Sequence, residues 1–143
     1  MNLRISPTLT YKVSKMEEKF VKISQLRPSR RGLNIRALVL EKGDIREGIS
    51  RKTGMPYKFA EVLLGDDSGV VRATFWGDTV DSIELDKTYE FYNVATTIFR
   101  NALIVNVGNR SKIKLSETKI PREAINFSNN VSERKRRRER ESR

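Results

Sequence analysis

Short runs of alternating apolar and polar residues, each ended by turn-forming residues, constrain this chain more than any other feature. In "LNIRALVLEKG", Leu33, Ile35, Ala37 and Val39 fall on one side and Asn34 and Arg36 on the other. "FAEVLLG" puts Ala60, Val62 and Leu64 on one face, and "VVRATFWGDTV" does the same with Val71, Ala73 and Phe75. "YEFYNVATTIF" and "ALIVNVG" complete the set, with Tyr89, Phe91 and Val94, then Leu103, Val105 and Val107, assigned to the core. A period of two is the pattern of half-buried strands. No stretch carries the 3.6-residue period of a long amphipathic helix.

Between the runs lie turn signals. "GDDSG" predicts a tight turn in which Asp67 and Ser68 bond to local backbone and Gly69 tolerates positive φ. Asp66 and Asp67 are read as turn residues rather than as a metal pair. "RN" at 100–101 joins the last two strands, and "DIREGISRKTGMPYKF" reads as a long, bent strand pair with an exposed tip. "DTVDSIELDKT" reads as a short helical turn and a loop, with Asp78 or Thr79 as its cap. The expected class is therefore all-β: a five-stranded OB-fold barrel with a short helical insert between strands three and four, then a disordered basic tail. Its expected divisions are a flexible extension over 1–15, the domain over 16–118 and a flexible arginine-rich tail over 119–143.

Parity poses a question at Trp76, the only tryptophan. It shares its face with Arg72 and Thr74, opposite the core side. A flat apolar ring beside a cation suits a nucleobase and its phosphate. Charge points the same way. The chain holds 29 basic and 18 acidic residues, a net +11, and residues 18–116 alone hold 17 against 12. Such a basic balance is the footprint of a polyanion binder. Arg46, Arg51, Lys52 and Lys58 flank the expected cleft and are candidates for phosphate contact. Neither cysteine nor histidine occurs. Disulfides, thiol chemistry and the usual zinc and triad constellations are excluded, and no cofactor, metal site or catalytic residue is expected.

"LRPSRRGLNIRALVLEKG", "EVLLGDDSGVVRATFWGD" and "VATTIFRNALIVNVGNRSKI" resemble the simple single-OB archaeal single-stranded DNA-binding proteins, and also the small subunits of the animal sensor-of-ssDNA complexes. The resemblance covers residues 16–116 and rests most on the GD-x-(S/T)-G turn, the following "FWG" and "TT-x-F". It implies that the residues matching Trp76 and Phe99 stack on bases. It also implies that Arg46, Lys52, Arg72 and Thr74 line the path, with Ile49 as an apolar contact once a one-residue insertion is placed near Gly48. A third family aromatic falls at Ala95, which implies either one stacking platform fewer and weaker binding, or a compensating aromatic such as Tyr57 or Phe59. The family's acidic tail is replaced by "ERKRRRERESR". Met16 opens the resemblance and is a candidate natural start.

The expected function is sequence-nonspecific binding of single-stranded DNA in replication, recombination and repair, akin to replication protein A, by a non-enzymatic protein. An RNA-binding OB module is the alternative. The expected setting is a monomer in the cytoplasm, associated with the nucleoid and not with membrane, with proteins of replication or repair as further partners.

Overall fold

Apolar residues at every second position become strands because one face can then be buried while the ladder satisfies the backbone. The computed structural model of the chain describes residues 20–133. Its strands are β1 (Leu33–Lys42), β2 (Arg46–Ile49), β3 (Pro56–Asp66), β4 (Gly69–Trp76), β5 (Thr88–Phe99), β6 (Ala102–Val107) and β7 (Lys112–Leu115). Seven strands replace the five expected from sequence. Of the two beyond those five, β2 forms with the start of β3 the bent strand pair expected of "DIREGISRKTGMPYKF", while β7, four largely exposed residues, leaves no burial pattern long enough to read. Helical structure among the named elements is confined to short 3₁₀ turns, the longest being Gly77–Ser82.

The pairing order is β1-β3-β4-β6-β5, and β1 also pairs with β5, so this path returns on itself. β4 and β6 run parallel, and the other pairs are antiparallel. Inside the ring lie the side chains that parity assigns there, including Ile35, Val39, Leu64, Val71, Phe75, Phe91 and Val105, all fully buried. Phe75 and Phe91 meet edge to face with centroids 5.5 Å apart. Full burial of such a side chain is worth about 1.5–3 kcal/mol. Both ends of the ring are filled. Val80 and Ile83, which follow Trp76, join the core, as do Ile23, Leu26 and Val131.

At the β3–β4 turn, Asp66 takes the part expected of its neighbour Asp67. Its carboxylate accepts from the backbone N–H groups of Ile23, Ser68 and Gly69, while Asp67 pairs with Lys22. Gly69 does not use the positive φ that a glycine tolerates. It is needed for close approach instead: a Cβ there would lie 2.7 Å from the carbonyl oxygen of Asn129. The 3₁₀ turn Gly77–Ser82 has no side-chain cap, contrary to the capping expected of Asp78 or Thr79. The Thr79 hydroxyl donates to the Trp76 carbonyl instead. Arg100 and Asn101 both take positive φ, 53° and 66°, the conformation that suits a tight two-residue hairpin turn.

The expected domain boundary at 118 does not match the packing. Residues 119–133 form a strap over the outer face of the sheet. Ile120 and Ile125 join Leu38, Leu40, Leu63 and Val70 in a second apolar cluster. The Val70 N–H then donates to Asn129, and Val131 enters the main core. The buried Ser132 hydroxyl accepts from the Arg72 N–H at 3.1 Å and donates to the Leu103 carbonyl at 2.5 Å, bridging β4 and β6. The polar sequence of this stretch hides three well-spaced apolar anchors. The flexible extension expected over 1–15 and the arginine-rich stretch after Glu133 lie outside the described residues.

Candidate nucleic-acid interface

Burial along β4 alternates as parity requires: Val71, Ala73 and Phe75 are buried, Arg72 is exposed, and Trp76 is 39% exposed. Directly paired residues share a face, so the registers draw the outer surface. Trp76 pairs with Phe59, and Phe59 pairs with Arg46. One step along, Ala95 pairs with Asn106, Asn106 with Thr74 and Thr74 with Glu61. A third row runs Thr97, Ile104, Arg72, Leu63. Arg46, Arg72, Thr74 and Trp76 therefore lie on one surface, as expected from sequence.

Trp76 belongs to a cluster of rings. Phe59 lies 5.2 Å from it and Tyr57 6.2 Å, centroid to centroid. The indole N–H donates to the Asn106 side chain at 3.3 Å, which sets the ring's orientation. Sequence reasoning misses Asn106. A signal for it exists, since it is the one polar side chain at an outward position of an otherwise apolar strand.

Phe99 is 58% exposed, on the same face of β5 as Ala95 and Thr97. It stands apart from the cluster. Continuing the Arg72↔Ile104 register by two residues sets it level with Val70, roughly 20 Å along the sheet from Trp76 at about 3.3 Å per residue. The Arg100 guanidinium lies over its ring at 5.1 Å.

The hairpin divides the remaining candidates. Arg51 and Lys52 sit in its exposed tip, where the Ser50 hydroxyl accepts from the backbone of Lys52 and Thr53. Ile49 is 67% exposed but pairs with Pro56, on the hairpin face opposite to Arg46 and Tyr57. Lys58, named as a cleft-flanking cation, is already engaged. Its ammonium donates to Asp81 at 2.7 Å. That bond, with Asp78 and Glu47 nearby, raises its pKa above the ordinary lysine value. The same bond holds the Asp81 carboxyl below its ordinary range. No cluster of metal-ligating side chains occurs among the described residues.

Taken together, the surface offers flat apolar rings and outward arginines, an arrangement able to stack bases and hold phosphates. Residues 26–115 match a family model described as single-stranded DNA binding protein Ssb-like, OB fold. The chain is 33% identical over 98 residues to the single-stranded DNA binding protein Ssb of Saccharolobus solfataricus. The match takes in 68% of this chain and 63% of the relative, so it spans less than two thirds of that protein's length. Among solved structures, a hypothetical protein from Arabidopsis thaliana superposes with a TM-score of 0.61 at 25% identity, over 79% of this chain and 82% of the other. The second OB-fold domain of replication protein A from Methanococcus maripaludis gives a TM-score of 0.58 at 24% identity, over 70% and 97%. The latter likeness shows the fold: an all-β OB-fold, here with seven strands and few helices.

Proposed function

Because the chain belongs to the family of Ssb-like single-stranded DNA-binding proteins with an OB fold, we propose that it binds single-stranded DNA without sequence preference, by stacking bases and contacting phosphates. The observation that carries this reading is the ring row of β3 and β4, with Trp76 exposed, Phe59 against it, and Arg46 and Arg72 on the same open surface. Stacking tolerates every base because each has a π-face, and it is worth about 1–3 kcal/mol per base. Duplex bases are already stacked on one another, so the rings are of use only to a single strand. Trp76, Phe99, Arg72, Thr74, Arg46, Arg51 and Lys52 are the proposed contacts, with Ile49 reached from the other side of the hairpin.

The closed ring of pairings serves as the barrel of this fold, and the turn after Trp76 as its insert. The protein acts as a non-catalytic monomer in the cytoplasm, at the nucleoid, on strands exposed in replication, recombination and repair, alongside proteins of those processes. No helix among the described residues is long and apolar enough to cross a membrane. Fluorescence anisotropy with a labelled dT oligomer, competed by matched RNA and by duplex, tests the reading. Tight single-strand binding that duplex fails to displace is expected. Equal displacement by duplex would overturn it, and stronger displacement by RNA would move the protein to the RNA-binding alternative.

A further inference from the structure

The middle of the open surface has a small side chain where a ring would be useful: Ala95, paired with Asn106. At the hairpin end, by contrast, Tyr57 is 42% exposed, slightly more than Trp76. Its ring rests on Gly48, its cross-strand partner. A Cβ on Gly48 would lie 2.8 Å from Tyr57 Cζ and 2.7 Å from its hydroxyl oxygen, so the bare backbone of β2 supports the ring. Phe59 stands against both neighbours, 6.2 Å from Tyr57 and 5.2 Å from Trp76. Tyr57 and Trp76 themselves meet at 61° with centroids 6.2 Å apart. That spacing and angle leave no room for a base between them. Each ring can take a base only on its own free side.

We propose, resting on the single-strand reading above, that Tyr57 is a second stacking platform. It takes the nucleobase adjacent to the one on Trp76. The steep angle between the two rings turns the strand toward the β2–β3 hairpin, where Arg51 and Lys52 wait for its phosphates. Phe59 is a positioning residue that holds both rings at their angle. Any base satisfies such a platform, so the subsite adds affinity and no sequence preference. Support of the ring by Gly48 means that little freedom is lost when a base arrives.

Poly-dT titrations of four variants, followed by affinity and by Trp76 emission, test this. Tyr57→Ala is expected to weaken binding about 5- to 150-fold, the loss of one stacked base. Tyr57→Phe keeps the ring and is expected to bind within about twofold of the parent on the same stacking argument. Gly48→Ala pushes the ring aside without deleting it and is expected to weaken binding in the same direction as Tyr57→Ala. Quenching of Trp76 at saturation should stay unchanged in Tyr57→Ala, since its own base remains. Parent-like binding by Tyr57→Ala alongside a weakened Trp76→Ala would overturn this inference alone. Loss of Trp76 quenching in Tyr57→Ala would also overturn it, because the ring would then only prop the indole. If neither Tyr57→Ala nor Trp76→Ala weakens binding, the single-strand reading of this surface falls as well.

Discussion

At Trp76 the sequence is nearly sufficient, because parity on one strand decides which way a side chain points. Replacing Trp76 by Ala should cost about 1–3 kcal/mol of single-strand binding while leaving thermal unfolding close to the parent's, since the ring is 39% exposed and lies outside the main core. An unfolded variant in a melting scan would mean that the indole holds the rim together instead. Ser132 is the opposite case. Nothing in "NVSERK" marks a serine as a bridge, because its partners, Arg72 and Leu103, are distant in sequence and are reached only through the strap. Ser132→Ala leaves a buried N–H and a buried carbonyl without that partner, a penalty of about 1–3 kcal/mol. Denaturant unfolding should register that loss at unchanged Trp76 emission. Asn106 lies between these cases: its outward position is legible, its bond to the indole is not.

Among the elements, the five long strands are legible because each carries at least three inward apolar residues, on a strict period of two in β1, β3, β4 and β6 and with one shift of parity at Asn93 in β5. β2 is legible only as one arm of the bent pair read in "DIREGISRKTGMPYKF", and β7 escapes because an edge strand with solvent on most sides has no pattern to show. The strap escapes for a different reason. Ile120, Ile125 and Val131 anchor an irregular segment interrupted by the 3₁₀ turn Arg122–Ala124, a geometry with no period of its own. The loop after Trp76 also bears on charge at this rim, for Asp81 pairs with the Lys58 ammonium at 2.7 Å. Asp81→Asn removes a negative charge from the rim and releases that cation. Single-strand affinity at low salt should rise, and the slope of log affinity against log salt should steepen by at most about 0.7, the value for one additional phosphate neutralised. An unchanged slope in a salt-titrated binding series would show that Lys58 is out of the strand's reach.

On the scale of the whole molecule, charge falls into two parts. The stretch 18–116 carries 17 basic and 12 acidic residues, and residues 134–143 add 7 basic and 2 acidic ones. The last described residue, Glu133, directly follows Ser132, whose hydroxyl accepts from the Arg72 backbone at the β4–β6 seam. Removing residues 134–143 should flatten the salt dependence of binding, by at most about 0.7 for each single-strand phosphate that those arginines neutralise. Duplex binding should fall proportionally more, since charge alone supports it. A truncated protein with the parent's salt slope would assign the arginines to some other target. Stacking itself is tested most directly by the emission of Trp76, the only tryptophan in the chain. Titration with poly-dT should quench it to saturation, in the full-length and truncated proteins alike, and duplex DNA should leave it nearly unchanged. Binding of poly-dT, shown independently by anisotropy, with no change in Trp76 emission would contradict the stacking role of this surface.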